Sequence, residues 1–298
     1  MNAPQPARTA EPVGDVPVAE LVRLRDLIYK VAGIFHPDNK LSLLQERCRG
    51  RIKTVHVKSL SEYVEFLTTH PSRQAELNAL LSDITIGETC FFRNRPQLEA
   101  IARVVLPKLI EAKSSQPTRS LRIWSAGCST GEEPYTLSML TLDESKGRLK
   151  DWVVEIHATD INQRSLAFAQ KAVYGSHSTR NLTAFHRQKY FTQVGEEFQV
   201  QPMVRNQVLF RHVNLTDDAR MALLKRMDLI LCCNVLIYFD VASKRRVLRH
   251  FYNNLSPHGY LFLGHSESLH GVSDDYRLVH LPGATAYMRG DSLHGKVS

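Results

Sequence analysis

The sequence predicts an α/β domain that carries a small antiparallel β-subdomain and is preceded by a small all-α domain. Two pattern changes and one motif predict it. Up to about residue 81 the apolar residues recur at helical spacing. From Leu121 onward short β-prone runs alternate with helical ones, as expected of a parallel sheet with crossover helices. The first of those strands, LRIWSA, passes through a glycine-containing turn directly into a helix.

Residues 1–17, MNAPQPARTAEPVGDVP, are rich in Pro and Ala without a hydrophobic signal core, so a flexible leader is expected there. Leu21, Leu24, Leu27, Ile28 and Val31 then begin a helical stripe that continues through Leu41, Leu44, Ile52, Tyr63, Phe66 and Leu67. Breaks at Gly33, Pro37, Ser59 and Pro71 cut it into short helices, giving an all-α domain over 18–84. A linker and a connecting helix, centred on 96–112, fill 85–115.

The α/β domain is expected over 116–290. Its runs are LRIWSA then TLSMLTL, VVEIHATD then LAFAQKAV, MDLILCCNV then KRRVLRHFYNNL, and finally GYLFLG. The stretch at about 174–210 interrupts this alternation with a polar helical segment. FQVQPMV and QVLFRHV follow, around a turn at Arg205 and Asn206, and are expected to form the antiparallel subdomain. A short tail, 291–298, closes the chain.

The chain has 298 residues, 43% of them apolar, enough for a substantial core. Lys and Arg number 38 against 30 Asp and Glu, a formal charge of +8, which leaves nucleic acid, a membrane surface or an acidic protein open as partners. The five cysteines, at 48, 90, 128, 232 and 233, include no CxxC pair, arguing against a zinc cluster or a disulfide framework. His265 with Glu267 lacks further ligands at suitable spacing, so no metal site is expected.

The informative motif is GCSTGEEP at 127–134. Gly127 and Gly131 let the backbone turn sharply and approach a ligand, and the helix that follows offers unpaired N–H groups. GCSTG satisfies the G-x-S-x-G pattern of serine hydrolases, but the strand opens the sheet and no oxyanion segment precedes it. A dinucleotide fingerprint fails because Ser129 and Glu132 stand where glycines are needed, and two glutamates would repel a pyrophosphate. Glu132 and Glu133 suit a cationic ligand, although each is favourable at a helix start by ~0.3–1 kcal/mol regardless.

S-adenosylmethionine is such a ligand, and it needs an acidic residue at the end of the second strand to accept from ribose hydroxyls. Asp160 of HATDIN stands there. Asn234 and Tyr238 follow the strand MDLILCC at its carboxyl end, where an amide and a phenol can reach the same crevice.

Taken together, DITIGETCFFRN, WSAGCSTGEEPYT, HATDIN, HVNL, LILCCNVLIYFD and LFLGHSESL resemble, in order and spacing, the CheR-type chemotaxis receptor methyltransferases, over about residues 18–290. The resemblance implies a Rossmann-like domain that transfers methyl from S-adenosylmethionine to glutamate side chains of chemoreceptor cytoplasmic helices, leaving S-adenosylhomocysteine. It places Gly87, Thr89, Arg93, Gly127, Asp160, Asn214, Leu215, Cys233, Asn234 and Val235, with Glu132 or Glu133, at the cofactor. Thr89 and Arg93 would meet its methionine end or the transfer site, Asp160 the ribose, and Asn214 and Leu215 the adenine. Arg93 and Tyr238 would serve the transfer itself. Gly87 stands where many members carry Asn, and Cys233 where they usually carry Arg.

Arg47, Arg49, Arg51, Lys53 and Lys58 lie in an acid-free run of twelve residues, with His56 among them. On a continuous helix 47, 51 and 58 share one side, and 49, 53 and 56 a neighbouring stripe. The resemblance makes this the surface that meets the acidic methylation helices. A nucleic-acid acceptor is the alternative, but the run lacks interleaved aromatics and Val235, Leu236 and Ile237 replace the prolines of an N-P-P-Y element. The short segment KYFTQVGEEFQVQPMV, with its single Gly195, implies no capture of a receptor's C-terminal pentapeptide. A monomeric cytoplasmic enzyme without membrane insertion is expected.

Overall fold

A computed structural model describes residues 18–85, 87–144 and 147–291. The leader expected at 1–17 and the tail after Asp291 lie outside the described residues. Four helices come first: α1 (Val18–Ala32), α2 (Leu41–Thr54), α3 (Leu60–Thr69) and α4 (Arg73–Ile84). Each buries one stripe: Leu21, Leu24, Ile28 and Ala32 from α1, Leu41, Leu44 and Cys48 from α2, Tyr63 and Leu67 from α3, Leu77, Leu80 and Leu81 from α4. Ser59 caps α3 by accepting from the Glu62 N–H at 3.2 Å, which explains the break read at that residue.

The connecting segment is α5 (Arg95–Ala100), a π-helical turn (Ile101–Val105) and α6 (Leu106–Lys113). Pro107 has no N–H to give the preceding turn, a local reason for the helix to widen there.

A seven-stranded sheet forms the second part, built from β1 (Ser120–Ala126), β2 (Val153–Asp160), β6 (Val208–His212), β7 (Met227–Cys232), β8 (Leu255–Leu263), β9 (Tyr276–Leu281) and β10 (Ala284–Arg289). Its order is β6-β2-β1-β7-β8-β10-β9. The first five strands are parallel, and the β9–β10 hairpin adds antiparallel to β8. The central β1 is flanked by β2 on one side and β7 on the other, so the strand order reverses beside it. Ligands bind at such switch points, outside the carboxyl ends of the strands.

The helices α7 (Glu132–Asp143), α8 (Gln163–Lys171), α9 (Ser176–Thr179), α10 (Ala184–Tyr190), α11 (Pro202–Arg205), α12 (Asp218–Met221) and α13 (Val241–Asn254) complete the chain with a small antiparallel sheet. That sheet is β3 (Val173–Tyr174), β4 (Phe191–Val194) and β5 (Glu197–Val200), in the order β3-β5-β4.

Two expectations need correction. QVLFRHV does not join the antiparallel addition; as β6 it is the parallel edge strand of the main sheet, with Val208 opposite Ile156 and His212 opposite Asp160. Phe210 of β6 packs edge-on to Tyr135 of α7 at 5.5 Å. The turn expected at Arg205 and Asn206 is instead the end of α11. The β9–β10 hairpin was not anticipated.

Polar contacts seat the helical domain on the α/β domain. The Asn214 side-chain amide donates to Val31 O at 2.7 Å, and that of Asn162 to Ser82 O at 3.0 Å. Tyr29 Oη donates to Asp240 at 3.0 Å, and the Phe35 N–H to Tyr238 O at 2.9 Å. Ile34 bridges to Phe239 as a one-residue antiparallel pair. Among the described residues no helix is long and apolar enough to cross a membrane.

Candidate functional site

A cavity of about 550 Å³ opens at the switch point, walled by the loops after β1, β2, β6, β7 and β8 and by Ala32, Ile34 and Thr85 of the helical domain and its exit. Its size is in the ordinary range for a small-molecule site.

The loop after β1 forms one wall. Gly127 has φ +80°, and a Cβ there would lie 2.3 Å from a Val235 methyl, so only glycine lets the loops after β1 and β7 approach this closely. Gly131, at φ +96°, sits against Ala169 and the Tyr174 hydroxyl in the same way. The Gly127 and Cys128 N–H groups both donate to Thr159 O, and the Ser129 N–H donates to Asp160 Oδ2 at 2.7 Å. The turn is therefore built on the end of β2.

Asp160 also accepts from the Asn162 N–H at 2.7 Å. Burial raises its pKa, against which these N–H bonds and the nearby His212 act. These N–H partners, with that of Ile161, leave the carboxylate a lone pair for hydroxyl donors.

The adjacent glutamates separate in space. Glu132 is 1% exposed and takes bonds from the Thr130 hydroxyl (2.7 Å) and the Ser178 hydroxyl (2.8 Å), and it does not line the cavity. Glu133, one residue and about 100° further round α7, lines it. Its direct partner is the Ser125 hydroxyl, which donates at 2.6 Å. Burial pushes the Glu133 carboxyl up to about 7, partly opposed by Ser125, the Cys233 thiol and the Arg93 charge, while Glu267 adds to the rise. A cationic ligand group beside it would restore full ionisation.

The TCFFR run reaches the cavity because its two aromatics anchor it. Phe91 is fully buried between Tyr174 and Phe191, edge-on at 4.9 and 5.1 Å, and the Phe92 N–H donates to Thr136 Oγ1 at 3.2 Å. Thr89 and Arg93 line the cavity on either side; Arg93 is exposed and donates to Glu88 O at 2.7 Å. Gly87 lines it too, and a Cβ there would meet only Ser129 Oγ, at 3.9 Å, so the position has room for a Cβ.

Asn214 and Leu215 lie along the cavity, but the Asn214 amide is committed to Val31 and Thr216, leaving Leu215 as the apolar surface. Cys233, Asn234, Val235 and Tyr238 line the opposite wall. Cys233 Sγ contacts Gln97 Oε1 at 3.6 Å, and Gln97 Nε2 donates to Leu263 O at 2.9 Å, so Gln97, itself lining the cavity, ties this loop to the end of β8. Tyr238 is 37% exposed, at the mouth.

Sequence reasoning missed Gln97, Ser125, Ile34 and Thr85. Serine eight residues before a glutamate is legible only once a strand and a helix are known to lie side by side. Ile34 and Thr85 are placed by domain docking and Gln97 by the packing of α5 on the end of β8, and none of them carries a local signal. Among the described residues no group of three or more His, Cys, Asp or Glu could hold a metal ion.

The basic run is not one helical face. Helix α2 ends at Thr54, and His56 adopts φ +59°, so His56 and Lys58 leave the helix axis. Arg47, Arg49, Lys53 and Lys58 are exposed. Arg51 is not available to a partner: it follows Leu44 by seven residues and Cys48 by three, on the buried face, and its guanidinium binds Glu76 at 2.9 and 2.5 Å.

The chain was compared with known proteins. Residues 87–284 match the CheR methyltransferase, SAM binding domain, and residues 19–85 match the CheR methyltransferase, all-alpha domain. It is 34% identical to Chemotaxis protein methyltransferase 2 of Vibrio cholerae serotype O1, over 91% of this chain and 92% of that one. It is 37% identical to Chemotaxis protein methyltransferase 1 of Pseudomonas aeruginosa, over 88% and 94%. A crystal structure of magnesium protoporphyrin IX methyltransferase from Synechocystis PCC 6803 with bound SAM aligns at TM-score 0.35 and 13% identity, covering 76% of this chain and 94% of that one. With both of its parts matched and its relatives aligned nearly end to end, the chain belongs to the CheR methyltransferase family and uses S-adenosylmethionine as its cofactor.

Proposed function

We propose that this methyltransferase acts on glutamate side chains of chemoreceptor cytoplasmic helices, forming glutamate methyl esters and S-adenosylhomocysteine, as a cytoplasmic monomer without a pentapeptide tether. One observation carries the reading. Arg93 and Tyr238 stand exposed at the mouth of a cavity whose inner wall holds the carboxylates Glu133 and Asp160.

The residues fit the cofactor. Glu133 is a half-buried carboxylate without a cationic hydrogen-bond partner, suited to an α-ammonium group, and Asp160 has a lone pair free for ribose hydroxyls. Thr89, Leu215, Asn234 and Val235 would lie along it, while Glu132 supports the wall from behind. When bound, S-adenosylmethionine supplies an electrophilic methyl group on a sulfonium. An acceptor glutamate has an unperturbed pKa near 4.3, is ionised at neutral pH and needs no general base. Arg93 would orient that carboxylate through its planar fork, and Tyr238 would shape its approach and exclude water. Positioning therefore carries the rate. Arg47, Arg49, Lys53 and Lys58 would steer the acidic acceptor, with Arg51 withdrawn into the core.

The test combines the purified protein, methyl-labelled cofactor and receptor cytoplasmic fragments, followed by mild alkali. Alkali-labile label released as methanol is the expected result. Label retained through alkali, or transferred to nucleic acid instead, rules the acceptor out.

A further inference from the structure

The LFLGHSESL segment contributes more than the strand it contains. Glu267 lies three residues past Gly264, in the turn closed by the Glu267 N–H on Gly264 O at 2.9 Å. Its carboxylate turns back and accepts three backbone N–H bonds. Oε2 takes those of Asn234 and Gly264, both at 2.7 Å, and Oε1 that of Ile237 at 3.2 Å. Asn234 and Ile237 belong to the loop after β7, and Gly264 to the loop after β8.

Crowding there shows how tightly the clamp is built. A Cβ on Gly264 would fall 2.7 Å from Glu267 Oε2 and 2.8 Å from Asn234 N, so the close approach requires glycine. Asn234 adopts φ +61°, a left-handed conformation that asparagine tolerates but does not favour. In that conformation its N–H is received by Glu267. The cavity is lined by Asn234, Val235, Ile237 and Tyr238, all within two residues of a bonded N–H, whereas Glu267 itself does not line it.

The geometry points to Glu267 as a positioning residue that fixes the cofactor-binding wall by clamping the loop after β7 to the loop after β8. A carboxylate is suited to the task because it accepts with both oxygens and has no hydrogen to present to a converging N–H. The assignment rests on the reading of this cavity as the S-adenosylmethionine site. Glu267 acts through Asn234 and its neighbours, and its role is the same whatever the acceptor.

The experiment compares E267Q and E267D with the parent by calorimetric titration of S-adenosylhomocysteine and by steady-state kinetics. Glutamine keeps the shape but sets an NH₂ against one group of backbone donors. Aspartate keeps both acceptors on a chain one methylene shorter. E267Q is expected to raise the S-adenosylhomocysteine Kd and the cofactor KM about tenfold, and E267D to fall between it and the parent. A role in stability alone would lower Tm and the fraction of active protein and leave Kd and KM where they were. Kd and cofactor KM within twofold of the parent in both variants would overturn the assignment, whatever happens to Tm. Titration stoichiometry counts only binding-competent protein, so a partly unfolded preparation still reports Kd. The calorimetric arm uses no acceptor and thus stands apart from the test of the proposed acceptor.

Discussion

The helical domain and the cavity each enclose a glutamate on the inner side of a helix, and they treat it in opposite ways. Glu76 of α4 is 6% exposed and is met by the Arg51 guanidinium in a two-pronged contact and by the Tyr63 hydroxyl at 2.6 Å. Its acceptors are filled from within the domain, at the cost of removing Arg51 from the surface. Glu133 of α7 has one hydroxyl donor, Ser125, and a carboxyl pushed up to about 7 by burial. The difference separates a finished ion pair from an unfinished one. A buried carboxylate left without a cation is strained in its charged form, and a cation brought by a ligand relieves the strain.

Breaking the finished pair should have the larger effect. Glu76→Ala leaves the half-buried Arg51 with only the more distant Asp83, at 3.8 Å, and the Tyr63 hydroxyl without its acceptor, so it should destabilise by about 2–4 kcal/mol in denaturant titration, with cofactor affinity of the folded fraction unchanged. A loss below about 1 kcal/mol would show that the pair is not the keystone of the helical domain.

The unfinished site comes next. Glu133→Gln keeps a partner for Ser125 but gives up the charge, and should weaken S-adenosylhomocysteine binding about tenfold to hundredfold in calorimetry, against little change for Glu132→Gln. The sign with pH follows from the raised carboxyl. Binding requires the ionised form, so affinity is full above about pH 7 and falls as the pH drops through it, by about tenfold at pH 6 if only that form binds. Glu133→Gln should flatten this profile; a pH dependence that survives the substitution would assign it to another group.

The surface should respond least. Arg49→Glu with Lys53→Glu should slow acceptor methylation severalfold, with the effect shrinking at high salt and cofactor Kd unmoved. Arg51→Glu should instead act on stability. Equal loss of methylation from all three, at equal Tm, would contradict the buried position of Arg51.

Much of the cavity was legible beforehand because its residues stand at strand ends. The switch from helical spacing to strand alternation located β1, β2 and β7, and Gly127, Asp160 and Asn234 stand at or just past their carboxyl ends. What could not be read were side-chain directions and partners. Glu132 and Glu133 are chemically identical neighbours, and only the docking of α9 and β1 decides that Ser178 takes one and Ser125 the other. Arg51 looked like its basic neighbours until the buried stripe of α2 fixed its side. β6 looked like a hairpin partner because its local pattern is that of any half-buried strand, and pairing with β2 is a long-range event.

The sequence by itself determined the order of the two parts, the strand and helix periods, and the chemical set at the strand ends. These depend on spacing and residue type, which are local. Tertiary structure alone decided which glutamate faces the cavity, which arginine is withdrawn, and that Glu267 ties the loop after β7 to the loop after β8. Each of these depends on contacts between groups distant along the chain or on different elements, and the free energy of a buried charge is set by whichever partner the fold brings to it.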